Sequence, residues 1–200
     1  MKGSLIIVGF FVLGTICGVC HLLPFDIAET NISYYALCAL MFSVGLSVGN
    51  DPQTLKNFRS LNPRLVFLPI MTILGTRAGS AAVSLILTHR SITDCLAVGS
   101  GFGYYSLSSI FITEYKGAEL GTIALLANIS REILTLLAAP LLVRWFGNLA
   151  PISAGGATTM DTTLPIITRT AGQQFVVVSI FHGFVVDFSV PFLVTLFCSI

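Results

Sequence analysis

Charge is what this sequence has least of. Ten basic and nine acidic residues make up only 10% of its 200 positions, against about 25% in a soluble domain. A water-facing globular surface is thereby excluded. The near balance of signs also excludes the basic face that nucleic acid or a polybasic lipid patch demands. Catalytic signatures are missing as well: there is no H-E-x-x-H zinc motif, and no G-x-G-D acid to partner Asp161 in an intramembrane protease. Gly101 and Gly103 form a G-x-G spacing without the βαβ surroundings of a nucleotide site. Five cysteines are present, and Cys17 and Cys20 form a C-x-x-C pair beside His21. That pair lies in an apolar run with no second pair nearby, so it reads as packing rather than redox or metal chemistry.

What the chain has is apolar sequence: 54% hydrophobic residues, with mean hydropathy +0.91. The fold class expected is an all-α integral membrane protein, a single transmembrane transporter domain over residues 1–200. Charged residues punctuate the apolar runs into about seven spans: about Gly3–Leu22, Ser33–Val48, Leu65–Leu87, Cys95–Thr113, Leu120–Val143, Leu149–Thr168, and Gln173 to the C-terminus. The uncharged run Gly3–Phe25, 23 residues long, reads as the first span and not as a cleavable signal. Lys56, Arg59 and Arg64 make the loop after the second span the most basic, which places it and Lys2 in the cytoplasm. Asp26 and Glu29 then lie outside. Seven crossings put the C-terminus outside. The Gly-rich runs Cys95–Thr113 and Leu149–Thr168 are broken, and either can be re-entrant instead of crossing.

The second of these runs contains GGATTMDTTLP at Gly155–Pro165, with a carboxylate, four threonines, two glycines and a proline. Such residues suit a helix that merely fills a membrane poorly, and non-helical backbone at that depth is tolerated only where protein buries it or water lines it. Asp161 reads either as a helix cap or as a ligand at a half-helix end, where transporters hold ions and substrates. Thr162 and Thr163 mark a half-helix start whose free N–H groups are expected to receive an anion. Glu132 lies midway along a span, at a cost of several kcal/mol unless paired or wetted. Asn128 and Thr135 share its helical face, whereas Arg131 points about 100° away. A structural ion pair is the alternative to a transport role. Ser100–Ser108, SGFGYYSLS, reads as unwound backbone with Ser100 and Tyr104 offering hydroxyls, or as tight packing through small residues. Glu114, beside Lys116 and Glu119, reads as a solvated charge at the cytoplasmic interface or the guard of an entrance. Arg77 has several possible partners, and His182 reads as a helix-packing histidine.

Three segments carry a family resemblance. Val98–Gly117, VGSGFGYYSLSSIFITEYKG, Asn128–Ile133, NISREI, and Gly156–Gly172, GATTMDTTLPIITRTAG, resemble the motifs of bacterial LysO-type lysine exporters, and FHGF at Phe181–Phe184 resembles their closing V-H-G-F. The match covers essentially the whole chain. It implies a multi-pass protein of the bacterial inner membrane that exports L-lysine by proton antiport, with no cofactor and no enzymatic activity. It also implies that Glu132 and Asp161 are the intramembrane acids, and that Glu114 is the acid ending the Gly-rich segment. Alternatives in the same class are another basic amino acid, a diamine or another cation, or a non-transporting subunit. Asp187 stands where the family pattern has an uncharged residue, and Arg77 belongs to none of its motifs, so the resemblance assigns neither a role. Full-length members are about half as long again at the N-terminus. A short membrane-protein partner supplying helices, or a homodimer, is therefore expected.

Overall fold

The computed structural model describes residues 13, 14, 16–20, 35, 42, 63–87 and 89–200. The predicted spans at 3–22 and 33–48 and the loop bearing Lys56 and Arg59 fall largely outside them. Residues 1–46 and 47–200 form two compact units, and the architecture below is that of the second.

Among its described residues, three helices are long and apolar enough to cross a bilayer. The first is α1, Phe67–Ile86, preceded by the 3-10 turn Pro63–Val66. The others are α4, Ala118–Phe146, and α7, Val176–Ser199. Between them lie two broken segments. The first comprises α2, Ile92–Gly99, and α3, Tyr105–Lys116. The second comprises α5, Ala150–Gly155, the 3-10 turn Gly156–Met160, and α6, Leu164–Ala171. Local chemistry sets their bounds. The Ser91 hydroxyl caps α2 by accepting the Asp94 N–H at 3.0 Å. Pro151 and Pro165 lie in the first turns of α5 and α6, where their missing N–H costs nothing.

The broken segments turn back. At 1.5 Å per residue, the eight residues of α2 and the twelve of α3 rise about 12 and 18 Å, roughly half of a hydrocarbon core of about 30 Å. Their outer ends come together. Lys116 Nζ lies 3.8 Å from Asp94 Oδ1, and Arg90 pairs with Glu119. Residues 92–116 are therefore a re-entrant hairpin, hairpin 1. Hairpin 2, residues 150–171, enters from the opposite face. There Ile152, Ile167, Ala171 and Val178 form a buried cluster against Val143 and Leu149, which gathers both ends of the hairpin, the end of α4 and the start of α7.

The fold class expected from sequence stands, and the choice left open for the two Gly-rich runs falls to re-entrance. Of the five spans expected after residue 64, three coincide with helices long and apolar enough to cross. One placement changes. Glu114, expected across the membrane from the 89–94 turn, emerges on the same face as that turn, because hairpin 1 returns to it. Outward-facing side chains of the spans, such as Met71, Leu74, Leu134, Leu137, Phe188 and Phe192, are exposed and apolar, which suits a lipid-facing surface.

Candidate functional site where the hairpin tips meet

The two hairpin tips touch backbone to backbone. In a continuing helix the Ala157 N–H would bond to the Ser153 carbonyl four residues back; here it donates across the contact to the Phe102 carbonyl at 2.9 Å. Glycine makes the approach possible. A Cβ on Gly156, at φ 64°, would stand 2.1 Å from the Phe102 oxygen, and one on Gly103, at φ 94°, 3.1 Å from the Gly155 oxygen.

Helix α4 fastens both tips. Asn128 serves tip 1: its Oδ1 accepts the Gly103 N–H at 2.7 Å, while Nδ2 donates to the carbonyls of Ala124 (2.9 Å) and Val98 (3.3 Å). Arg131 serves tip 2. Its Nη2 donates to Ser153 O at 3.0 Å and its Nε to Ala154 O at 2.8 Å. These are carbonyls at the negative end of α5, left without helical partners by the break. The guanidinium also lies 5.8 Å from the centre of the Phe102 ring and reaches Thr76 on α1. Its donors are thus spent largely on the scaffold.

From α7, His182 completes the clamp. Thr159 Oγ1 lies 2.8 Å from Gly156 O and 2.9 Å from Ser179 O, and both carbonyls can only accept, so the hydroxyl donates. It then accepts from Nδ1–H of a neutral His182 at 3.2 Å, which leaves Nε2 to accept from the Thr72 hydroxyl at 2.9 Å. The histidine packs helices, as expected, and also ties α1 to tip 2. Asp187, one turn past Gly183 on the same face, is buried as well.

Around this contact lie the acids. Glu132 is 7% exposed. Asp161 is exposed and takes the Thr162 N–H on its own carboxylate. It does not cap α6; that position belongs to Thr163, which makes no side-chain cap. Tyr104, on tip 1, has a buried hydroxyl without a hydrogen-bond partner among the described residues.

Several residues expected at the site are therefore together: Asn128, Arg131, Glu132, Tyr104, Asp161, Thr162 and Thr163. Ser100 is also at tip 1, its buried hydroxyl without a partner. Glu114 is not; it sits exposed near the outer end of α3. One expectation fails in detail. The N–H groups of Thr162 and Thr163 are not free, since they donate to Asp161 Oδ1 and to Thr158 O (3.0 Å). What sequence reasoning left unassigned is Asp187, although an acid in an apolar span is itself a signal of function.

An all-helical architecture with three helices long and apolar enough to cross a bilayer defines the class: a helical membrane protein. A family model for the lysine exporter LysO matches residues 8–198. The chain belongs to that family. It is 36% identical over 196 residues to the lysine exporter LysO of Escherichia coli K12, covering 98% of the chain and 64% of that relative. It is 34% identical to a Haemophilus influenzae protein described provisionally as a lysine exporter, covering 98% of the chain and 96% of the relative. The chain thus spans just under two thirds of the E. coli protein and nearly all of the other. No solved structure matches it.

Proposed function

We propose that this chain exports L-lysine across the bacterial inner membrane by proton antiport, with Glu132 and Asp161 alternating between proton and substrate ammonium. The observation that carries the proposal is the meeting of the two hairpin tips beside these acids, since a charge at mid-depth is expensive unless it works. Lysine and a proton exclude each other on a carboxylate, which links their opposite movements. The names of the relatives favour lysine over other basic cargo.

In this reading, hairpin 2 enters from the cytoplasm. Arg64 in the turn before α1, Arg144 at the end of α4 and Arg169 at the end of α6 lie on that face, against Arg90 and Lys116 on the other; the positive-inside rule, which counts Lys and Arg, orients the protein accordingly. Asp161 and Thr162 are exposed at mid-depth. They need a water-filled cleft or further protein against them, from a short partner or a second copy.

Lysine counterflow in proteoliposomes, with an internal pH dye, tests the proposal. Glu132→Gln and Asp161→Asn are each expected to abolish proton-coupled lysine flux. Full activity in either variant removes that residue from the mechanism, and preferential flux of arginine or a diamine reassigns the cargo. Co-purification of a functional, purely monomeric chain would refute both the partner and the homodimer.

A further inference from the structure

A cleft of about 550 Å³ lies between α1, α2 and α4, apart from the acids of the hairpin tips. Helix α2 is its floor, packed against both α1 and α4. The walls are small or apolar: Gly79 and Val83 on α1, Cys95 and Val98 on α2, Ile123 and Ala127 on α4. Both ends are tied. At the end near the hairpin tips, Arg131 Nη1 reaches Thr76 Oγ1 at 3.4 Å. At the other end, on the face where hairpin 1 enters, Arg90 pairs with Glu119 at the start of α4. Between the ties Gly79, Val83 and Ile123 are exposed, so the cleft opens sideways.

Its length is that of one leaflet. From Thr76 to Leu87 on α1, and from Leu120 to Arg131 on α4, the lining covers about 16 Å at 1.5 Å per residue. Half of a hydrocarbon core is about 15 Å. A sideways-facing apolar cleft at that depth meets acyl chains rather than water. Left empty, its walls would forfeit their dispersion contacts. Lipid tails are as apolar as those walls, so the chain gives no choice among lipids. The choice falls to the mouth. There Arg90 and Lys116 stand with Glu119 and Asp94, two charges of each sign. Neither pairing uses its groups up. Arg90 gives Glu119 one nitrogen of a five-donor guanidinium, and Lys116 stands 3.8 Å from Asp94. An anionic headgroup finds no excess of positive charge in such a set. A zwitterion with a phosphate and a primary ammonium finds a partner for each.

We propose that this cleft holds an acyl chain of a phosphatidylethanolamine, with the phosphate on Arg90 and the ammonium on Asp94. The site stands whatever the cargo of the transporter. It nevertheless borders the tip contact, because Asn128 and Arg131 line its inner end. A bound chain therefore packs against the two side chains that fasten the hairpin tips.

The test is native mass spectrometry of the purified full chain, equilibrated in detergent with equal amounts of phosphatidylethanolamine, phosphatidylcholine and phosphatidylglycerol of identical chains. Wild type should retain one phosphatidylethanolamine in preference to the other two. Gly79→Phe puts a ring into the cleft, where nothing lies within 4 Å of the new Cβ, and should abolish that retention. Gly75→Phe, one turn away on α1 with equal room but outside the lining, should keep it. Asp94→Asn should shrink the preference for ethanolamine over choline several-fold, the scale of a charge-assisted hydrogen bond. Wild-type retention in Gly79→Phe overturns the site; where that variant does not purify, wild-type retention in Ala127→Phe does so. Wild-type protein that holds no lipid overturns the proposal, as does one that holds the choline or glycerol lipid as strongly. A wild-type dimer that Gly79→Phe converts to monomer without loss of lipid gives the cleft to a second copy and overturns it equally.

Discussion

Replacing Gly156 by alanine should pry the hairpin tips apart. The new Cβ would lie 2.1 Å from the Phe102 carbonyl oxygen and 3.1 Å from its carbon. Neither is the movable end of a side chain. The Ala157 N–H bond to that same oxygen, 2.9 Å long, prevents Phe102 from simply backing away. Two costs combine. Holding a non-glycine residue at φ 64° costs about 1–3 kcal/mol of backbone strain, and overpacking a fixed contact costs about 1–3 kcal/mol more. A total of about 2–6 kcal/mol lowers the melting temperature by roughly 4–24 °C, at about 2–4 °C per kcal/mol for a chain of this size. The measurement is thermal unfolding of purified protein in mild detergent, followed by tryptophan-independent thiol labelling. Gly75→Ala on α1 is the control. Nothing lies within 4 Å of its new methyl, and alanine is the better helix former by about 1 kcal/mol. A Gly156→Ala protein that melts with wild type, or a Gly75→Ala protein that melts below Gly156→Ala, refutes the tip contact as drawn.

Arg131→Lys should behave as a loss even though the charge stays, because an ammonium cannot fork onto the Ser153 and Ala154 carbonyls together; about 1–3 kcal/mol of stability should disappear in the same thermal assay. Asn128→Leu should cost a similar amount, about 1–3 kcal/mol, by orphaning the buried Gly103 N–H. Topology can be read directly: in a cysteine-free background, single cysteines at Arg90 and Lys116 should react with an impermeant thiol reagent from one side of the membrane, and one at Arg144 from the other. Labelling of Arg90 and Lys116 from opposite sides would show that residues 92–116 cross.

The long spans were legible because hydropathy over some twenty residues is a one-dimensional property: Leu65–Leu87 was expected and α1 is Phe67–Ile86. The breaks were legible too, from Gly99, Gly101 and Gly103 and from Gly155 and Gly156. Which way the chain leaves a break was not. A run of 19 uncharged residues at Cys95–Thr113 fits one crossing as well as two half-depth helices, and the choice is made by Asp94 meeting Lys116, a pairing 22 positions apart. At the site, the Asn128–Glu132–Thr135 stripe was visible from helical spacing, and all three are buried. The role of Arg131 was not visible, because its partners are carbonyls that exist as partners only once α5 has ended.

That both tips hang from α4 has a consequence for movement. A swing that parts tip 1 from tip 2 cannot leave α4 bonded as it is to both. One set of anchors must yield. Asn128 holds its tip by neutral hydrogen bonds, two of them at 3.3 and 3.4 Å. Arg131 holds the other by charged donors at 2.8 and 3.0 Å, which are roughly twice as strong. By bond type, then, the hydrogen-bonded anchor on hairpin 2 is the stronger of the two, although Arg131 also lies against Phe102 of hairpin 1.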